Sequence, residues 1–320
     1  MMTPALATFL DDRAALGAVR ERAEACSRAW HQRADVRTPV ETLNQAASGG
    51  GEAVQDALMA LMADRDWVER LVAPLFRALR DDPWFDPPLL AVGDDVQRGV
   101  LLIESEAAAI VLVRLSAAAL ARRRTVGPAK SIAIQGVLGA IHVLEPGGAR
   151  LRHWHAPPVD AGFSMATEQK LRQGEILQLE RGQMLRVDGR TSSYTIEDAA
   201  SDLLLLRASV RIDHAPYQRE FDTTDGRMIA ASAAREDASR TRMMLTMLRS
   251  MRCSKAGEVF AMALKEPEFD LRWHAMREWL LHDLAAATPA LESMAVDDPH
   301  PEVRAAAAAT CKRLAQRKAA

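Results

Sequence analysis

Residues 171–210 read LRQGEILQLERGQMLRVDGRTSSYTIEDAASDLLLLRASV. Arg172, Gln173 and Gly174 form a polar turn before a short apolar run at Ile176, Leu177 and Leu179, and a second turn at Arg181 and Gly182 precedes Met184, Leu185 and Val187. Beyond the polar stretch 188–201, DLLLLRASVRI is a third strand candidate. Short apolar runs punctuated by glycine-containing turns predict β-strands of a sandwich or barrel rather than helices.

Upstream, from Val96, the same period holds. VLLIES, AAAIVLVRLS and SIAIQGVLGAIHVLEPGGARLRHWHA read as successive strands, broken by an Arg-rich turn at 121–130. An antiparallel barrel accommodates them most economically. Gly174, five residues, Glu180-Arg181-Gly182, two residues and Leu185 together resemble the second motif of the cupin superfamily, with Glu180 in the place of its Pro and Leu185 in the place of its metal-binding His. The wider stretch 93–222, preceded by helices and ending in the apolar run and polar exit LLLLRASVRIDHAPYQREFD, resembles the cysteine-dioxygenase-like branch. That resemblance implies a jelly-roll barrel. It also implies an HxH pair of iron ligands at the Arg-rich turn, where this chain has Arg122, Arg123 and Arg124. The usual ligands are therefore expected to be missing at both motifs, and a leucine cannot bind iron.

A literal search finds another register for the first cupin motif. Gly147, five residues, His153-Trp154-His155 fits its opening, with Asp160 where the motif has Glu. No apolar run lies between His155 and Gly174 to supply the intervening strands, so motif one is placed at 108–139 instead. The histidines still call for a physical reading of their own. Side chains two apart on a strand share a face, which suits two imidazoles to one metal. Pro146-Gly147-Gly148-Ala149 is a hairpin signal, and a hairpin turning there would set His142 opposite His153 with Cβ atoms ~5 Å apart. His142, His153 and His155, with Asp160 or His214 as a further ligand, would then form a site for Fe or Zn. Alternatively, sharing their face with Leu144 and Leu151, they are half-buried histidines satisfied by backbone. Arg122 to Arg124 are either a solvated loop or, at a barrel mouth, a set of bidentate donors for a small anionic ligand.

The flanks read as helical. Pro4 to about Gln32 carries apolar residues at helical spacing, Thr38-Pro39-Val40-Glu41 looks like an N-cap with Pro at N1, and 46–51 is a flexible break. A wide apolar stripe then runs over 52–80, and the prolines that follow stop it. After Asp222 a helix over 235–251 carries Met243, Met244, Met247, Leu248 and Met251, expected to be its buried face rather than an adaptable binding groove. Near the end, 266–275 (EPEFDLRWHA) aligns with 298–307 (DPHPEVRAAA) at an offset of 32 residues, and DPHPEVRAAAAATCKRL resembles a HEAT-repeat helix. Stacked helix pairs of that kind usually present a surface to a partner.

Composition limits the function. The 320 residues, 48% hydrophobic and 26% charged, suit a folded protein of more than one core. Forty-one basic against 43 acidic side chains argue against field-driven binding of nucleic acid or an anionic membrane. Three scattered cysteines, Cys26, Cys253 and Cys311, suggest neither a disulfide framework nor a CxxC metal site. The N-terminus lacks a basic leader and no apolar window reaches spanning length, so a cytoplasmic location is the expectation. There is no Walker loop, GxGxxG or zinc-finger spacing.

The expected architecture is α+β: an N-terminal helical segment (1–92), a cupin-like antiparallel β-barrel (93–222) and a C-terminal helical, HEAT-like region (223–320). The expected function is that of a non-catalytic binding or scaffold protein without cofactor, engaging an unknown protein partner or small anionic ligand and able to form a homodimer. A metal-dependent, oxygenase-like cupin enzyme using the relocated histidines is the alternative.

Overall fold

Twelve strands and ten α-helices are laid out in a computed structural model that describes residues 11–82, 84–126, 131–159, 163–164, 169–234 and 236–319. The helices are α1 (Arg13–Gln32), α2 (Ala34–Ala46), α3 (Gly50–Ala63) and α4 (Arg65–Asp81), with a single 3-10 turn at Ala47–Gly49. Strands β1 (Ala91–Gly93), β2 (Gln97–Glu104) and β3 (Ala108–Leu115) follow, then α5 (Ala117–Val126). Next come β4 (Ser131–Ile134), β5 (Leu138–Glu145), β6 (Arg150–His155), β7 (Arg172–Gln178), β8 (Met184–Asp188), β9 (Ser192–Asp198) and β10 (Leu203–Val210). The chain ends with β11 (Tyr217–Asp222), β12 (Met228–Ala233), α6 (Glu236–Ser250), α7 (Ala256–Ala263), α8 (Phe269–His282), α9 (Leu284–Asp297) and α10 (Pro301–Ala319).

All strand pairing is antiparallel, in sheets of order β1-β2-β3-β10-β5-β8, β7-β6-β9 and β12-β11-β4. The eight strands β3 to β10 are nested: β3 pairs with β10, β5 with β8 and β6 with β7, while β4 lies against β9. One long folded-over hairpin thus wraps into two facing layers. The expected closed barrel is not formed; the sheets stay open at their edges.

Side-chain alternation assigns the two faces of the large sheet. On β10, Leu206, Ala208 and Val210 share one core with α2 to α4, whereas Leu203 and Leu205 belong to the inter-sheet core with Ile141, Val143 and Leu151. Val54, Leu58 and Met62 of α3 are fully enclosed against this sheet. Each such aliphatic side chain stabilises the fold by about 1.5–3 kcal/mol. The helical stripe at 52–80 is split at Asp64, which caps α4 by accepting from Asp66 N–H.

Pro39 lies inside α2 rather than at its first turn. A proline there leaves the carbonyl four residues back without its helical donor. The indole Nε1–H of Trp67 supplies one, donating to Asp35 O at 3.2 Å. The stretch 121–126 is helix, not turn: AAALARRR favours helix, and Asp202 caps α5 by accepting from Ala117 N–H at 2.9 Å.

A buried amide ties α3 to the sheet. Gln55, 1% exposed, donates from Nε2 to Gly139 O (2.6 Å) and Val187 O (3.0 Å). Gln55→Leu keeps the volume but removes both bonds, and it is expected to lower stability by about 1–3 kcal/mol in urea unfolding. Glu52→Gln removes partners of Arg186 and Arg190 at the exposed rim and should cost far less. Equal losses would show that the buried bonds contribute no more than the rim.

In the C-terminal helices the 32-residue repeat is reproduced as geometry. Arg272 Nη1 donates to the carbonyls of Glu266 (2.9 Å) and Pro267 (2.8 Å), and Arg304 Nη1 donates to those of Asp298 (2.6 Å) and Pro299 (3.2 Å). Each arginine holds the acid-Pro turn that opens its own helix. Among the described residues no helix is long and apolar enough to cross a membrane.

Candidate functional site

Between the two layers lies a cavity of about 520 Å3, within the range of small-molecule sites. Its walls come from alternate residues of facing strands. Val111 and Val113 of β3, Ile141 of β5 and Val187 of β8 supply one side, and Tyr194 and Ile196 of β9 the other. Gly139 also lines it and lets β5 approach β10 closely, since a Cβ there would stand 2.7 Å from Ala208 O.

The cavity's main charge is Arg207. It has the same parity on β10 as Leu203 and Leu205, so its side chain is directed inward from a largely apolar strand, and it is half-buried. Nη1 donates to Gln97 Oε1 at 3.0 Å. Among the described residues it has no carboxylate partner. Burial pushes the phenol of Tyr194 above its ordinary value, and the charge of Arg207 opposes this without cancelling it. The phenol therefore stays protonated as a donor. Serines 192, 193 and 209 add small polar groups to an otherwise aliphatic lining.

At the cavity edge, Arg123 reaches Asp94 at 3.5 Å. The Asp94 carboxyl is held below its usual range by the N–H groups of Gln97 and Val96, with Arg123 adding to the effect. Helical geometry separates the three arginines. Arg123 is at the cavity, Arg124 Nη1 donates to Glu197 O at 2.9 Å outside it, and Arg122 is exposed and does not line it.

The three histidines are not brought together. The Pro146 to Ala149 turn forms, with Ala149 N–H donating to Pro146 O, but it carries the chain from one layer to the other. β5 pairs with β8 and β10, and β6 with β7 and β9. His142 is buried among strand residues Leu206 and Met184, which pack in the helix-facing core. His153 and His155 lie on β6, their rings near-parallel with centroids 6.3 Å apart. Burial, followed by the neighbouring His155, lowers the His153 pKa, with Glu175 opposing. Neither ring lines the cavity.

Gly174 lies beneath the pair, where a Cβ would come within 2.8 Å of His155 Nε2. His214 is in the loop between β10 and β11, and Asp160 is outside the described residues. Among the described residues no group of three or more His, Cys, Asp and Glu side chains could hold a metal ion. The described residues do not assemble the three-histidine site for Fe or Zn expected from the hairpin.

Leu185 lies inward, between the two layers. The turn forms at Arg181 and Gly182, with Gly182 at φ 79°, and Leu185 on β8 packs into the inter-sheet core with Ile141, Leu179 and Leu205.

No family model and no curated protein matches the chain. Solved structures similar to it include ectoine synthase from P. lautus, at 11% identity over 38% of this chain and 68% of that one, TM-score 0.23. The 7S globulin of Momordica charantia is 10% identical over 43% of this chain and 36% of its own, TM-score 0.25. A sugar phosphate isomerase from a cupin superfamily, from Silicibacter pomeroyi, is 12% identical over 45% and 78%, TM-score 0.23. This chain thus spans about a third of the globulin. Likeness at these scores assigns neither a fold family nor an activity.

Arg207, Tyr194 and Gln97 are the functional candidates that residue typing passed over. A usable signal existed for the first: in LLLLRASV a single arginine shares the parity of two inward leucines.

Proposed function

We propose that the chain is a non-catalytic, cupin-like binding protein whose inter-sheet cavity holds a small anionic ligand with an apolar body, and whose helical layers face a protein partner. The observation that carries this reading is Arg207: a half-buried guanidinium, without a carboxylate partner among the described residues, on the wall of an aliphatic cavity. A cation withdrawn from water gains most from a bound anion, and a planar guanidinium pairs two-pronged with carboxylate or phosphate.

The cupin-like element rests on the nested order of β3 to β10, the pairing of an eight-strand double-sheet jelly roll. It also rests on the turn at Arg181-Gly182 followed by an inward Leu185. A leucine at that position favours binding over metal chemistry there. The likeness to the cysteine-dioxygenase-like branch and the HEAT-like character of 266–319 belong to the same proposal.

A thermal-shift screen tests it. Aromatic and medium-chain carboxylates and organic phosphates are expected to raise the midpoint, and uncharged alcohols of the same skeleton are not. The proposal fails if no anion stabilises the protein at about 1 mM, a concentration that reveals even weak sites.

A further inference from the structure

The methionine stripe of α6 is exposed, contrary to the expectation that it forms the buried face. Met243, Met244, Met247 and Met251 are 73%, 62%, 59% and 66% exposed, and Met262 on α7 is 70% exposed. The helix does have a buried side, made by Leu245 and Leu248 with Phe260 of α7 and Leu271 of α8. Two ion pairs fix its rotation: Arg242 to Asp270 and Arg249 to Glu278, each at 2.5 Å. The methionines are therefore held outward in a row about two turns long, or ~12 Å. So much unbranched apolar surface, on a helix whose core is already complete, contributes nothing to the fold. It is the character of a surface that adapts to another helix.

The charges around the row narrow the occupant. At the two ends of the α6 row the exposed charges are basic, Arg240 before Met243 and Arg252 and Lys255 after Met251, while along α7 and its end exposed Lys265 is accompanied by the exposed acids Glu258 and Glu266. A second copy laid antiparallel on the α6 row would bring Arg252 and Lys255 of one copy beside Arg240 of the other, basic against basic, whereas an acidic partner would neutralise these ends. We propose that the α6–α7 face docks an amphipathic helix of a partner protein whose apolar stripe is flanked by acidic side chains. Helix-on-helix docking of this kind uses anchors at i, i+3 or i+4 and i+7, the spacing of Met244, Met247 and Met251. This face lies on the C-terminal helices, so the inference stands apart from the ligand of the cavity.

The test uses the full chain and two labelled synthetic helical peptides with the same leucine stripe, one flanked by Glu and the other by Lys, followed by fluorescence anisotropy. The Glu-flanked peptide is expected to bind at least about tenfold more tightly, a difference of about 1.4 kcal/mol, and to lose that advantage as salt rises. Met243→Gln, Met247→Gln and Met251→Gln combined should remove binding with the thermal midpoint unchanged, because these side chains are exposed. Arg252→Glu with Lys255→Glu should reverse the preference between the peptides. Four outcomes would overturn the inference. These are equal binding of the two peptides, no binding at about 1 mM, a concentration-dependent dimer that Met247→Gln abolishes, or adhesion to phosphatidylserine vesicles without peptide binding.

Discussion

Arg207→Leu is expected to weaken the strongest anion from the ligand screen by about tenfold to a hundredfold, the equivalent of ~1.5–3 kcal/mol for a bond to a charged group. It should do so without loss of stability. The guanidinium is half-buried with Gln97 as its described side-chain acceptor, so the shorter, apolar leucine gives up one hydrogen bond but relieves the desolvation of the cation. Arg207→Lys should fall between, since an ammonium keeps the charge but not the planar fork. Tyr194→Phe should cost less, removing one neutral donor. Titration calorimetry on the three variants checks the order, with Arg123→Gln showing a smaller, salt-dependent loss at the cavity edge. If Arg207 is there only to hold Gln97, Arg207→Leu and Gln97→Leu will lower the melting midpoint alike and leave ligand affinity unchanged.

The strands that sequence reading located are those with continuous apolar runs. β3, β5 and β10 each bury both faces, one against the helices and one in the inter-sheet core, and such strands announce themselves by composition. β9 was hidden because SSYTIED is polar in sum. Its two inward residues, Tyr194 and Ile196, are separated by Thr195, which accepts a hydrogen bond from Trp154 Nε1. β7 likewise begins at Arg172, inside what reads as a turn, since its start is an exposed edge with little to bury.

The histidines lie apart for a different reason. Pro146-Gly147-Gly148-Ala149 specifies a reversal of the chain, but a reversal fixes neither pairing nor sheet, and here the two strands part into different layers. The methionine stripe shows the limit of periodicity. A helix with an apolar stripe at i, i+4 spacing is expected to bury it, yet Leu245 and Leu248 already complete the core, and the ion pairs of Arg242 and Arg249 turn the methionines outward. Those contacts lie 28 and 29 residues away along the chain, beyond the reach of a local pattern.

Arg272→Met is expected to destabilise the C-terminal helices by about 3–5 kcal/mol at neutral pH, the usual cost of stranding one partner of a buried ion pair. Arg272 Nε and Nη2 reach the two Asp298 oxygens at 2.9 and 2.8 Å, with side chains 7% and 3% exposed. The pair joins one repeat to the next, because Asp298 also caps the turn before α10 by accepting from His300 N–H. Burial alone would raise the Asp298 pKa, but the guanidinium and the His300 N–H more than offset it, so the carboxyl is held below its usual range. A depressed carboxylate contributes stability above its unfolded pKa of about 3.9 and loses it as the pH falls through the lower folded value. Without Arg272 burial dominates, the sign reverses, and protonation relieves the variant. The gap between the two proteins in urea unfolding should therefore be widest near neutrality and narrow on acidification below about pH 4. Asp298→Asn keeps an acceptor for His300 while removing the charge, and in a double-mutant cycle with Arg272→Met it should recover part of the loss. A variant within about 1 kcal/mol of the parent at neutral pH, or a gap that does not change with pH, would mean that the helices are held by the apolar core of Met276, Leu291 and Val303 and that the pair is incidental.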